Sequence, residues 1–462
     1  MTQSRNKTPE ELAAKYDRAG PRYTSYPTAP VWTDAFGEAD WNAALAAASN
    51  ETDRTLALYV HLPFCSERCL FCACNVVITR RDDILDSYLK RLHNEINCTA
   101  AKLGRRRRIT GLHWGGGTPT HLSPAQLESL MGVITNAFEL APNAEVSIEV
   151  HPPVTTKEQI ETLHRLGFNR ISLGVQDIDA DVQKLINRNQ TVEQTERILN
   201  WTRDLGVQSV NFDLVYGLPG QTADTWGRTI DEVLRLMPDR LAIYSYAHVP
   251  WLHPQQKRMP AERMADPELK LRLLRMAAER LPTEGQYELI GFDHYALPHD
   301  ELATAVKERR LYRNFMGYTV KPAEDYVGFG MTAISEVGHA FAQNHTKINA
   351  WSNAVDEGRA TVCKGHALSI DDRIRKQVIE QLMCNQQLSL VTFRENNATT
   401  FREYFSQQWA QLAEMENDGL LTLTDAALTV TALGRRFLRN ICMLFDRYLE
   451  EQVKRGRFSQ TV

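Results

Sequence analysis

TLALYVHLPFCSERCLFCACN, residues 55–75, runs an apolar stretch straight into a loop that holds four of the chain's eight cysteines. Its first eight residues read as a strand, so the thiols are delivered at a strand's C-terminal end. Such crowding asks for disulfides, for zinc, or for a more reactive centre.

Composition narrows that choice. The chain has 462 residues and a formal net charge of −4, enough length for one large or several smaller domains. The charge balance gives no reason to expect a nucleic-acid or polyanion partner. No apolar run is long enough to span a bilayer. The opening MTQSRNKTPEELAAKYD has no hydrophobic segment of the secretory kind. A cytoplasmic protein with reduced thiols is expected, and disulfides become the weakest reading. Cys98, Cys363, Cys384 and Cys442 are scattered, mostly in apolar helical contexts, and read as buried small hydrophobes.

Zinc would normally take two separated ligand pairs. Here the order is Cys65-x3-Cys69-x2-Cys72, then Cys74, with no second pair following. Three thiolates on one tight loop suit an iron–sulfur cube whose fourth iron has no protein ligand. An open iron can bind an outside molecule.

Working outward, further strand candidates follow at 109–116, 145–150, 170–176, 210–217 and 240–247. Helical periods separate them. DDILDSYLKRLHNEI places Ile84, Leu85, Tyr88, Leu89, Leu92 and Ile96 on one face. Ser123, Pro124 and Gln126 make a capping box that opens a helix through Phe138, and Thr156 with Gln159 opens another that Gly167 ends. Six strand–helix units imply a parallel sheet with right-handed crossovers, closed as a partial six-unit barrel or a full eightfold one. Either places reactive loops at the strands' C-terminal ends, where the cysteine loop, GGGTP (115–119) and Glu149 fall. ELIGFDHYALP and DYVGFGMTAIS read as further strands or buried loops. From Ser369 the chain turns helical and closes with a small hairpin and a helix, a winged-helix-like pattern. Its unremarkable charge favours a structural or lid role over DNA binding. The run Gly104–Arg108 reads as the solvated end of a helix, and Arg18 and Arg22 as candidates to meet substrate carboxylates.

CSERCLFCAC fits the C-x3-C-x2-C motif of radical S-adenosyl-L-methionine (SAM) enzymes. With Cys74, HLPFC, GGGTPT, LGVQD, NRNQT, FDLVYGLPGQT, RNFMGYT and RNICMLFDRYL, the chain resembles the oxygen-independent coproporphyrinogen III oxidase (dehydrogenase) family from about Tyr16 to its C-terminus. The resemblance implies an α/β fold with a partial six-unit parallel barrel of radical SAM type and a small, mainly helical C-terminal domain. It divides the chain into an arm (1–49), a core barrel (50–283), a substrate-side extension (284–368) and a C-terminal domain (369–462).

It also implies an activity: two propionates of coproporphyrinogen III become vinyl groups, giving protoporphyrinogen IX in heme biosynthesis. A low-potential donor such as flavodoxin or ferredoxin reduces a [4Fe-4S] cluster, which gives one electron to the SAM sulfonium. The resulting 5′-deoxyadenosyl radical takes the propionate β-hydrogen, and carbon dioxide and one electron then leave. The cofactors carry the hard step. No nucleic acid or membrane insertion enters, and a monomer is expected.

Cys65, Cys69 and Cys72 are the implied cluster ligands, and Cys74 the catalytic candidate beside the reacting propionate. Tyr59, Phe71, Glu149 and Ile334 are implied around the first SAM. Gly116, Gly117, Thr118, Gln176, Arg188, Asp213 and Ala247 match positions for a second SAM in the same active site. Arg188 can fork to a carboxylate, and Asp213 can accept from an amine or ribose hydroxyls. The glycine loop lets a SAM carboxylate or amine approach, and Glu149 pairs with a cationic amino group.

Two departures concern the site. Where well-known members carry an Asp and later an Arg, this chain has His151 and Pro153, and Met316 stands where some have Gln. A related heme-binding chaperone would lack the fourth cysteine and carry H-N-x-x-Y-W, whereas this chain has Cys74 and RNFMGY. A radical SAM enzyme acting on intact heme is the other alternative.

Overall fold

The computed structural model describes residues 9–455 and Phe458. Residues 1–8 of the expected arm, and all but Phe458 of 456–462, lie outside it. The six expected strands form and stand side by side in chain order: β1 Leu56–Leu62, β2 Arg108–Gly116, β3 Glu139–Val150, β4 Arg170–Gln176, β5 Ser209–Tyr216 and β6 Arg240–Ser245. Every neighbouring pair is parallel. Helices fill the crossovers, and local chemistry starts them. Ser123, Thr156, Thr191 and Thr222 each form a capping box, worth about 1 kcal/mol apiece.

Side chains alternate across this sheet because a strand's period is two. Trp114, Ile148, Leu173 and Phe212 face the helices and are fully buried. Their alternate neighbours His113, Glu149, Ser172 and Asp213 line a cavity enclosed by β1 through β6. The sheet is therefore curled, with an apolar outer face and a polar lumen.

Residues 284–368 extend the same sheet at both edges. β7 Glu288–Ile290 and β8 His294–Ala296 add antiparallel strands beyond β6. On the other side β9 Asp325–Phe329 lies parallel to β1 and makes a seventh parallel strand. β10 Ile334–Val337, β11 Ala340–Asn344 and β12 Val362–Ala367 follow antiparallel, completing twelve strands.

Arg106 corrects the reading of the basic run as a solvated helix end. It is 1 % exposed, and its Nη1 stands 2.5 Å from Asp325 Oδ2, equally buried. Its Nη2 also donates to Thr55 O at 3.0 Å. The side chain bolts the start of β9 to the start of β1. Arg108 begins β2. Of the four scattered cysteines, Cys384 and Cys442 are buried as expected, whereas Cys98 is exposed and Cys363 half-buried.

The C-terminal part starts with the helix Ile370–Asn385, capped by Ser369. It is mainly helical around a three-stranded sheet of Gln387–Ser389, Ala427–Val430 and Leu421–Leu423. Its apolar core takes in Leu12, Tyr16, Tyr23 and Tyr26 from the opposite end of the chain. Tyr23 donates to Asp446 Oδ2 at 3.1 Å, and Asn440 Nδ2 to Tyr16 O at 2.7 Å.

Candidate active site

The cysteine loop leaves β1 and is held almost entirely through its backbone. Leu70 N donates to Ile186 O (2.9 Å), Asn187 Nδ2 to Arg68 O (2.9 Å), and Gln255 Nε2 to Cys72 O (2.6 Å). A short parallel pairing of Phe64–Cys65 with Val77–Ile78 closes its base. The backbone is thus pinned by groups other than the thiols. Cys65 Sγ lies 3.5 Å from Thr118 Oγ1, and Cys69 Sγ 3.6 Å from Arg188 Nη1. Cys74 is exposed, and its backbone N–H points at Cys72 Sγ at 3.4 Å.

Burial pushes the Cys65 thiol up to about 11 and raises Cys69 as well. The Cys74 thiol donates to Cys72, and that bond, more than any other influence, draws Cys72 down to about 7. Three thiols on one loop, with an N–H directed at one sulfur and a guanidinium at another, are a donor set that fits an iron–sulfur cube.

The glycine loop packs tightly within the protein. A side chain on Gly117 would meet the Pro63 carbonyl at 2.6 Å, and one on Gly116, at φ +116°, would meet the His61 ring at 2.5 Å. Bare backbone is needed here to pack the loop against the cysteine loop. The N–H groups of Gly116, Gly117 and Thr118 donate to Glu149 Oε2 (2.9 Å), Leu62 O (2.9 Å) and Phe64 O (2.8 Å).

Glu149, the last residue but one of β3, has its carboxylate open to the cavity, 45 % exposed, and His113 Nε2 3.6 Å away. Burial favours its protonated form, but His113 and the Gly116 N–H outweigh this and hold its pKa below the ordinary range. Tyr59 stacks on His113 with ring centres 5.9 Å apart. Its hydroxyl lies 3.0 Å from His61 Nδ1, while His61 Nε2 lies 3.1 Å from Asn75 O. Burial lowers His61 to about 4, so the ring is neutral at pH 7. These partners place its proton on Nε2, facing the carbonyl, and make Tyr59 the donor to Nδ1.

The cavity encloses about 990 Å³ of space, part of it open to solvent. Asp213 lies in its wall and accepts from Ser172 Oγ (3.0 Å) and Asn211 Nδ2 (2.9 Å). Burial first, then the Glu149 charge, raises its pKa to about 6. Gln176 and Arg188 meet over Gly174, outside the cavity wall. Gln176 closes β4 at a bulge with φ +68°, a conformation costly for a residue other than glycine. Arg188, 8 % exposed, donates through Nη2 to Gly174 O and through Nε to Gln190 Oε1 at 3.2 Å. Phe71 packs in a cluster with Val215 and Tyr246. Ala247 follows β6, and its carbonyl accepts from Gln256 Nε2 at 3.4 Å. Ile334 opens β10 against Gly328, the register partner of Tyr59.

Met316 lines the cavity. Burial and then the Arg188 charge lower His151 to about 3, and its Nε2 has no hydrogen-bond partner. The Arg22 guanidinium lies 5.9 Å from the ring of Tyr244, a cavity-lining residue, and its Nη2 donates to Ser245 O at 2.9 Å.

Sequence reasoning missed His113, Ser172, Asn211 and His294, all in the cavity wall. Period-two alternation through HWGG, RISLG and VNFD carries the first three. His294, whose Nδ1 stands 2.6 Å from Asp293 Oδ1, sits on the three-residue β8, too short to give such a signal.

A parallel sheet that delivers a three-cysteine loop from β1 has the architecture of the radical SAM superfamily, whose family model matches residues 59–233. The model of the HemN C-terminal domain matches residues 368–437. An oxygen-independent coproporphyrinogen III oxidase of Pseudomonas aeruginosa is 42 % identical over 454 residues, 98 % of each chain. That of Escherichia coli is 41 % identical over 451 residues, again 98 % of each. The solved structure of the Escherichia coli coproporphyrinogen III oxidase (HemN), described as a radical SAM enzyme, matches with a TM-score of 0.89 and 41 % identity, covering 93 % of this chain and 98 % of that one. The chain belongs to the oxygen-independent coproporphyrinogen III oxidase family.

Proposed function

We propose that this protein decarboxylates two propionates of coproporphyrinogen III oxidatively, without oxygen, to give protoporphyrinogen IX. The observation that carries the reading is the three-cysteine loop delivered by β1 of a barrel with a polar cavity, in a chain matched over 98 % of its length by relatives of that name. When bound, the [4Fe-4S] cluster and SAM supply the radical chemistry that breaks an unactivated C–H bond.

In this reading Cys65, Cys69 and Cys72 hold three irons and leave the fourth for SAM. Cys74 stays out of the ligand set and faces the substrate. The N–H groups of the glycine loop are engaged within the protein, so the ammonium of the first SAM is assigned to Glu149, kept ionised by His113 and the Gly116 N–H. Tyr59, Phe71 and Ile334 border that molecule. A second SAM is assigned to Gly116, Gly117, Thr118, Gln176, Arg188, Asp213 and Ala247, with Arg188 toward its carboxylate. Supporting this second site is the convergence of Gln176 and Arg188 over Gly174.

We assign a monomer in the cytoplasm, reduced by flavodoxin or ferredoxin. All eight cysteines are free, in keeping with a reducing compartment. Among the described residues no helix is long and apolar enough to cross a membrane.

The test is an anaerobic assay of reconstituted protein with SAM, a low-potential reductant and either coproporphyrinogen III or heme. A mass loss of two carboxyl groups and two hydrogens from the porphyrinogen is expected. Turnover of heme instead, or heme retention without SAM consumption, overturns the assignment.

A further inference from the structure

Resting on the reading that an outside protein reduces the cluster, we infer that the rim loop at residues 251–258 is the docking surface for that protein, an acidic one-electron carrier. The loop follows β6 and is fastened to the cysteine loop: Gln255 Nε2 donates to Cys72 O at 2.6 Å and Gln256 Nε2 to Phe71 O at 3.4 Å. Beside these anchors, Trp251 and Leu252 are 66 % and 53 % exposed, the one adjacent pair among the large apolar side chains exposed by the described residues. Trp251 is four residues from Gln255, so their Cα atoms are at most about 14 Å apart. Ile78, on the closing limb of the cysteine loop, is 42 % exposed. Exposed apolar side chains so close to one loop mark an interaction site.

The charge beside them is positive in a chain whose net charge is −4. Lys257 and Arg258 are exposed. Neither they nor Arg68 of the cysteine loop takes part in an ion pair among the described residues; the Arg68 guanidinium donates to Val76 O at 3.3 Å. Of the nearby carboxylates, Glu67 is taken up by Arg80 at 3.1 Å and Glu262 is exposed. An apolar centre with a basic rim complements an acidic protein that carries its redox group near its surface, and charge steering favours such an encounter. Transfer moves one electron from the reduced carrier to the oxidised cluster, and no atom changes partner.

The experiment titrates cluster-loaded protein with oxidised flavodoxin and with a ferredoxin by calorimetry at two salt concentrations. It is paired with turnover driven by the reduced carrier or by dithionite, which needs no docking. Wild type should bind at least one carrier, more weakly at high salt. Trp251→Ala/Leu252→Ser and Lys257→Glu/Arg258→Glu should each weaken binding at least about tenfold. Both should slow carrier-driven turnover and leave dithionite-driven turnover unchanged. No salt-dependent binding of either carrier by wild type, or equal binding by both variants, overturns the surface. A raised KM for the porphyrinogen under dithionite also overturns it and gives the loop to the substrate. Wild type that forms no vinyl product with dithionite refutes the proposed activity instead, while calorimetry still judges the surface.

Discussion

Arg188 and Cys69 face each other, with guanidinium Nη1 3.6 Å from the sulfur, while the rest of the Arg188 fork is tied to Gly174 O and Gln190. A cation held this firmly beside a cluster-loop thiol is preorganised for an anionic ligand. Arg188→Ala should retain the cluster yet lose on the order of 1.5–3 kcal/mol of SAM-dependent catalysis, the usual worth of a charge-assisted contact. Iron analysis and product formation across SAM concentrations check this, and unchanged turnover removes Arg188 from the site.

Cys74→Ser separates the fourth thiol from the other three. Because Cys74 is exposed and turned toward Cys72 through its N–H, the variant should assemble the cluster and bind SAM while product formation falls sharply. Cys72→Ser should lose the cluster. Iron and sulfide content with electron paramagnetic resonance, beside the product assay, reads both. Loss of the cluster in Cys74→Ser refutes three-thiolate ligation, and wild-type turnover refutes a catalytic role.

Asp213 predicts a pH dependence of stability. Its carboxyl is raised to about 6 in the fold, against about 4 when free. Below pH 4 folded and unfolded chains both hold the proton, and the group is neutral for stability. As pH rises through 6 the folded chain must ionise a buried acid, and stability is lost. Asp213→Asn should therefore be more stable than wild type at pH 8, by on the order of 1–3 kcal/mol, with no difference near pH 3. Chemical denaturation of the ligand-free protein tests this, and the same variant should bind SAM more weakly.

Arg106→Ala leaves Asp325 buried without its principal cation and should cost about 3–5 kcal/mol. A lower denaturant midpoint at unchanged slope is the expected signature. A loss below about 1 kcal/mol would place the pair among exposed ones.

The barrel was legible because its signals are local. Each of the six strands is an apolar run, Ser123 and Thr156 announce helices through side-chain caps, and three thiols at a strand end advertise their chemistry. What escaped depends on distant partners. Nothing within DYVGF shows that it will lie parallel to β1, because its register partners are more than 260 residues away. Arg106 read as solvated because Asp325, which buries it, is 219 residues further on. His294 owes its place in the cavity to an antiparallel pairing with β6. The GGGTP loop was found by its glycines, but their use, packing against Pro63 and His61, belongs to tertiary structure.

The aromatic arm seated in the C-terminal core sets a waiting time in protein synthesis. Tyr16 meets Asn440 and Tyr23 meets Asp446 across separations of 424 and 423 residues. At about 5–20 residues per second, a ribosome spends roughly twenty to eighty seconds between making the two ends. Until the segment from Val378 onward is made, Leu12, Tyr16, Tyr23 and Tyr26 have no core to enter, and that core is complete only once Phe445 is added. A chain cut short before residue 440 lacks Asn440 and Asp446, so Tyr16 and Tyr23 lose those partners and the core that covers them stays incomplete.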